Sequence, residues 1–156
     1  MALQQELGLR RSFRVLEHEA VLNIYYTATC IKKKADGVFR TLGLTDVQFS
    51  VMMLLHYQSG GEDGLSQSQL SDMMLVNRAN ITTLVDRMEK ADIVVRTASP
   101  EDRRRNIVKL TKRGKRLFAK AEPLYSRMVR KVMSPASSAQ QRNIITILGK
   151  IRSRLL

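Results

Sequence analysis

The stretch LSQSQLSDMMLVNRANITTLVDRMEK, Leu65 to Lys90, decides the fold. In its second half Ile81, Leu84, Val85 and Met88 recur at i, i+3, i+4 and i+7, one stripe of an amphipathic helix. Asn77 stands just ahead of that stripe, where a side-chain oxygen can accept from the unpaired N–H groups of a first turn. In the first half, Leu65 or Ser66 begins a shorter helix, with Leu70, Met73 and Met74 expected to face inward. Only the tight segment MLVN separates the two. Short helices joined by so brief a turn form the helix-turn-helix pattern.

The next segment reads as a β-hairpin. DIVVRTA (Asp92 to Ala98) and RNIVKLT (Arg105 to Thr111) are rich in Val and Ile. Pro100 cannot donate to a ladder, so it belongs in the connection. The hairpin tip then carries Arg103, Arg104 and Arg105 behind Glu101 and Asp102. Three adjacent guanidinium groups repel one another, an arrangement that makes sense when a polyanion comes to meet them. A solvated charged turn is the plain alternative.

The flanks are helical. From Phe13 to Leu42, the positions Phe13, Leu16, Ala20, Ile24, Thr27, Ile31, Ala35, Val38 and Leu42 step by three or four. Gly37 weakens this helix without having to break it. It is longer than one small core needs, so its N-terminal part is expected to pack on something else, such as a second subunit. Gly43 suits a helix C-terminus and Thr45 an N-cap. DVQFSVMMLLHY (Asp46 to Tyr57) reads as a core helix, and QSGGEDG as a loop. Past the hairpin, Thr111 caps a long helix to about Val132, with Leu117, Ala121, Leu124, Met128 and Val132 as its stripe and a kink expected at Pro123. SPASS breaks the chain. A last helix, about Ser138 to Leu155, carries Ile144, Leu148, Ile151 and Leu155.

Composition narrows the partners. The 156 residues include 27 Lys+Arg against 14 Asp+Glu, a formal charge of +13, which favours nucleic acid or an anionic surface. No segment approaches the roughly 18 apolar residues needed to span a bilayer, and the first residues lack the apolar run of a signal peptide, so no membrane is expected. Tryptophan is absent and aromatics are 5%, which disfavours modules that stack single-stranded bases. His18, His56 and the lone Cys30 give no metal spacing, and neither a phosphate loop nor a nucleophile elbow is present. No cofactor and no enzymatic activity are expected. Cys30 reads as a helix-packed, inert thiol.

The element order, a winged helix-turn-helix between long amphipathic helices, resembles the MarR family of bacterial transcription regulators along nearly the whole chain. The family's wing carries D-x-R-x-x-x-V-x-L-T-x-x-G, matched by Asp102, Arg104, Val108, Leu110, Thr111 and Gly114. Its recognition helix ends L-E-x-x-G-L-V-x-R. Here Met88 and Asp92 depart from that pattern, although Asp tolerates the left-handed conformation a capping glycine supplies. The resemblance implies a mainly α fold with a small β-hairpin wing. About 45–116 would form the winged DNA-binding lobe, and about 12–42 and 117–156 the dimerisation helices of a single domain.

The resemblance also assigns roles. Arg104 would enter a narrow minor groove, where negative potential is concentrated. Asp102 would hold the wing tip, and Arg103 and Arg105 would meet phosphates. On the exposed recognition-helix face, Arg78, Asn80, Thr82, Thr83 and Arg87 are the candidates for reading bases. For each, a phosphate contact or plain exposure is the alternative. Ser66, Gln67 and Ser68 open the preceding helix, where backbone donors could hold a phosphate. Lys112, Arg113, Lys115 and Arg116 either extend the basic surface or form a solvated helix start. Many members bind anionic aromatics between the dimerisation region and the winged lobe. Tyr25, Tyr26 and His56 could line such a crevice, or simply pack. The expectation is thus a cytoplasmic homodimer that binds double-stranded DNA at a pseudo-palindromic operator, as a ligand-responsive repressor. The rivals are a sequence-nonspecific architectural DNA protein and a winged module that binds proteins.

Overall fold

The computed structural model describes residues 3–11, 13–59, 64–99 and 106–155. Turn chemistry sets where its helices begin and end. After α1 (Leu3–Glu6) comes α2 (Leu16–Arg40), the long helix expected, running through Gly37. It closes in a Schellman motif: Leu44 N–H reaches Phe39 O at 3.0 Å and Gly43 N–H reaches Arg40 O at 3.1 Å. Gly43 supplies the positive φ of +68° that this closure needs. Thr45 then caps α3 (Asp46–Tyr57) in a reciprocal capping box with Gln48.

The next elements form the winged lobe. Ser66 caps α4 (Gln67–Met74) in a second capping box, with Gln69. Asn77 caps α5 (Arg78–Lys90), its side chain accepting from Asn80 N at 2.8 Å. Strands β2 (Val94–Ala98) and β3 (Asn106–Leu110) pair antiparallel, with Arg96 opposite Val108. A third strand, β1 (Leu65–Ser66), pairs on the other side of β3 and gives the order β1-β3-β2. Two residues are too short to show a period, so β1 was not expected. Thr111 caps α6 (Lys112–Met133), which continues through Pro123, and α7 (Ser138–Arg152) closes the described chain.

Schellman closures also end α4 and α5, but on residues other than glycine. Leu75 (φ +52°) ends α4, with Val76 N–H on Ser71 O and its own N–H on Asp72 O. Asp92 (φ +53°) ends α5, with Ile93 N–H on Met88 O and its own N–H on Glu89 O. Asp92 therefore adopts the conformation expected where the family has glycine. An L-residue in this region costs about 1–2 kcal/mol, and Leu75, 75% exposed, has little packing to offset it. Glycine recovers that cost and loses some unfolded-state restriction. Leu75→Gly and Asp92→Gly are each expected to stabilise by about 0.5–1 kcal/mol, raising the melting temperature by about 1–4 °C. A lower melting temperature for Leu75→Gly would contradict the left-handed turn.

One core joins α2, α3, α5, the sheet and α6. Phe39 stacks on Phe49 with centroids 4.3 Å apart, and Phe49 on Phe118 at 5.6 Å. Ile81, Val85 and Met88 are fully buried and Leu84 packs against them, as the stripe on α5 requires. Leu70 is buried but Met73 is 47% exposed. The expectation that Met73 faces inward is corrected here: α4 is only eight residues long and buries one narrow face, on which Met73 does not lie. Of the α2 stripe only Ala35 is buried, beside Phe39, which the stripe does not include, while Leu16 and Ile24 of the stripe and Val21 and Tyr25 next to them are exposed. Cys30 is exposed on the same helix, not packed as expected. No residue of α7 is buried.

Candidate nucleic-acid interface

Burying Ile81, Val85 and Met88 on one side of α5 forces its polar residues onto the other. Arg78, Asn80, Thr82, Thr83 and Arg87 are all exposed. Within the helix, Thr82 and Thr83 hydroxyls donate to Arg78 O (2.9 Å) and Ala79 O (3.1 Å). Arg87 has no acidic partner among the described residues, and it lies in the last turn with Lys90, where cations complement the helix dipole. Asn80 uses its backbone N–H in the Asn77 cap and keeps its side-chain amide free of hydrogen bonds among the described residues.

The start of α4 lies against this face. Arg78 Nη2 donates to Ser68 Oγ at 3.0 Å, and Thr82 Oγ1 lies 2.9 Å from Gln67 Oε1. Ser66 Oγ accepts from Gln69 N at 3.1 Å. The backbone N–H of Ser68, in the first turn, has no intrahelical acceptor, as at any helix start. Thus Ser66, Gln67 and Ser68 come together with Arg78 and Thr82 at one junction.

A group not expected from the sequence braces the wing base to α5. Arg96 of β2 contacts Asp86 through Nη2 and Glu89 through Nη1, both at 2.5 Å. Glu89 also accepts the Arg96 backbone N–H at 2.9 Å, covering an outward donor of an edge strand. Burial alone would lower the Arg96 guanidinium, but its hydrogen bonds to the two carboxylates outweigh that and hold it above its usual value. The signal lay in two acidic residues at i and i+3 followed by an arginine seven residues on. Asp86, on the polar side of α5, is therefore engaged by Arg96.

The other end of the hairpin is stitched to α6. Thr111 Oγ1 donates to Asp92 O at 2.6 Å while accepting from Gly114 N at 2.9 Å, and Thr111 N–H reaches Ile93 O at 3.1 Å. The wing-tip candidates Asp102, Arg103, Arg104 and Arg105 lie outside the described residues. Lys112, Arg113, Lys115 and Arg116 are exposed in the first turns of α6.

A cavity of about 620 Å³ opens between α3 and α6, lined by His56, Tyr57, Leu110, Lys115, Phe118 and Glu122 among others. The His56 and Phe118 ring centroids are 4.5 Å apart. His56 thus lines this cavity, while Tyr25 and Tyr26, on the N-terminal half of α2, do not. Among the described residues no group of His, Cys, Asp and Glu could hold a metal ion, and no helix is long and apolar enough to cross a membrane.

Residues 42–105 match the model of a family described as the MarR family. An uncharacterized HTH-type transcriptional regulator of Bacillus subtilis, YkoM, is 27% identical over 146 residues, covering 91% of this chain and 92% of its own. Among solved structures, AbsC, a MarR family transcriptional regulator from Streptomyces coelicolor, superposes with a TM-score of 0.83 at 20% identity, covering 93% of this chain and 97% of that one. A cysteine-to-serine variant of Escherichia coli MarR complexed with operator DNA superposes with a TM-score of 0.76 at 17% identity, over 97% and 99% of the two chains.

Proposed function

The chain belongs to the MarR family of DNA-binding transcription regulators; from that premise we propose that it is a sequence-specific, ligand-responsive repressor acting in the cytoplasm as a homodimer. The observation that carries the reading is the exposed polar face of α5, set opposite its buried stripe and beside the start of α4. Residues of about 45–116 would form the DNA-reading lobe, and the flanking helices the dimer contact. Two copies of α5 would enter successive major grooves of a pseudo-palindrome. The chemistry is binding and release, with no covalent step.

The dimer reading rests on unpartnered apolar surface. Ile144, Ile145, Ile147 and Ile151 of α7 are exposed, as are Leu16, Val21 and Ile24 of α2. The effector reading rests on the cavity between α3 and α6. An aromatic ring would lie against His56 and Phe118, and an anionic group would meet Lys115. Leu110, the last residue of the wing, shares that lining, so occupancy would bias the wing's position.

Selection from random duplex DNA tests the core of the reading. It is expected to enrich an inverted repeat with half-sites one helical turn apart. Affinity for that repeat should fall with salt at a log–log slope of about −5 or steeper, because a dimer neutralises several phosphates. A slope near zero would remove the electrostatic basis of binding. Tight but sequence-indifferent binding would favour the architectural alternative.

A further inference from the structure

We propose that Asn80 reads one adenine in each operator half-site, and that Arg78 and Thr82 position α5 for it. The proposal rests on the DNA-reading function above and picks out which residue of the polar face carries specificity. The contacts of α5 divide that face into two flanks. Arg78 donates to Ser68 Oγ at 3.0 Å, Thr82 Oγ1 lies 2.9 Å from Gln67 Oε1, and Asp86 and Glu89 hold Arg96. These four residues step by four, four and three, so this flank is taken up by α4 and β2. Asn80, Thr83 and Arg87 step by three and four along the other flank, and all three are exposed. Thr83 spends its hydroxyl proton on Ala79 O at 3.1 Å. Among the described residues, the Asn80 amide and the Arg87 guanidinium of this flank have no side-chain partner.

Position along the helix separates those two groups. Asn80 lies in the first turn, just past the Asn77 cap, and Arg87 lies two turns on, in the last turn. The N-terminal residues of a recognition helix are the ones that reach base edges, so Arg87, about 10 Å farther along the axis, is placed for a phosphate. The chemistry of the amide then selects the base. It carries an acceptor and a donor side by side. In the major groove only adenine shows a donor and an acceptor on one base, at N6 and N7, and an Asn amide meets both at once. Guanine shows two acceptors, one of which would face the amide oxygen, and cytosine and thymine each show a single polar group. Neither end of the Asn80 amide is hydrogen-bonded among the described residues, so it is free to bring its oxygen to N6 and its nitrogen to N7. The mount does not use the amide. Asn80 N–H is held by Asn77 Oδ1 at 2.8 Å, and the contacts of Arg78 and Thr82 fix α5 against α4. Ala79, exposed beside Asn80, has no long side chain to hold the helix off the groove.

The test selects operators from random duplex DNA with wild type, Asn80→Ala, Asn80→Asp and Thr82→Val, then measures affinity for each base at every position. Asn80→Ala keeps the backbone N–H that Asn77 caps and brings in a better helix former, so α5 should stay folded, as circular dichroism reports. It should select the wild-type operator except at one pair per half-site, where a preference for adenine of about tenfold falls below about twofold. Its salt slope should not change, because no phosphate contact is lost. Replacing N7 of that adenine by carbon should weaken wild type severalfold and leave Asn80→Ala unaffected. Asn80→Asp is the second route should the alanine variant not fold, since a carboxylate suits the first turn of a helix. It only accepts, so at the same pair adenine should lose its advantage over cytosine. Thr82→Val removes the hydroxyl that meets Gln67 and should weaken all sequences alike, with the base preferences of wild type. Folded Asn80 variants that keep every base preference would overturn the proposal. So would a lost preference for a base other than adenine, or a Thr82→Val protein that loses a base preference. A wild type that selects no operator at all would defeat the DNA-reading function itself, and this proposal with it.

Discussion

Gly114→Ala is expected to lower the melting temperature by about 10 °C and to loosen the wing from the rest of the lobe. A Cβ built at Gly114 would sit 2.0 Å from the carbonyl oxygen of Ile93, 3.1 Å from its carbonyl carbon and 3.2 Å from Leu110 Cδ2. The nearest atom is backbone, so no rotamer change relieves the clash. The Ile93 carbonyl is also held in place, because it accepts from Thr111 N–H at 3.1 Å. Moving α6 outward breaks that bond and strains the Thr111 bond to Asp92 O, which is only 2.6 Å long. Overpacking costs about 1–3 kcal/mol, and each lost hydrogen bond about 0.5–1.5 kcal/mol more. The sum is on the order of 3–4 kcal/mol, and a chain of this size shifts by about 2–4 °C per kcal/mol. The control is Gly37→Ala. A Cβ there meets nothing within 4 Å, so the change should add up to about 1 kcal/mol through helix propensity alone. If Gly114→Ala melts within about 2 °C of wild type, less than 1 kcal/mol for a chain of this size, the close approach of α6 to Ile93 is wrong.

That glycine shows what a sequence can and cannot carry. Its place in the wing motif was legible, but its cause was not, since the clash is with a carbonyl twenty-one residues away. Local chemistry was readable throughout. Thr45, Asn77 and Thr111 were identified as caps because a capping oxygen and its target N–H lie within one turn of chain. The polar side of α5 was readable for the same reason, since its stripe has the helical period. Contacts between elements were not. The Arg78–Ser68 and Thr82–Gln67 ties join residues ten and fifteen apart in sequence. The Arg96 bridge needs β2 laid against α5, and β1 is too short to announce itself. Met73 misled because an apolar residue beside Met74 looks like core on any period, while an eight-residue helix buries only one edge. The N-terminal half of α2 carries a core-like stripe that the chain leaves exposed, a pattern that the helical period alone does not distinguish from core.

Replacing Ile144 and Ile147 together with aspartate is expected to convert the proposed dimer into a monomer and to weaken operator binding by about two to four orders of magnitude. The two residues sit at i and i+3 on α7, both exposed, and both border an apolar groove of about 540 Å³ with Thr27 and Ile31 of α2 and Val132 and Met133 of α6. A fifteen-residue helix with no buried residue is marginal in water on its own propensity, so a surface covering this groove in the proposed dimer would stabilise α7. In the proposed dimer a second copy would supply matching apolar surface, since its own Leu16, Val21 and Ile24 are exposed in the same way. Two carboxylates in that contact would be desolvated without partners, which burial penalises far more than the lost methyl groups do. The effect on DNA follows from linkage. In a dimer the second lobe binds at high effective concentration once the first has bound, and a monomer loses that gain without losing a single DNA contact. The phosphates neutralised per complex should also halve, so the salt slope should become shallower. Sedimentation gives the assembly state, and titration of an operator and of an isolated half-site gives the affinities. The variant should bind the half-site about as well as wild type does and lose only the advantage of the full repeat. A variant that stays dimeric, or a monomer that keeps full operator affinity, would show that α7 is not where the two copies meet.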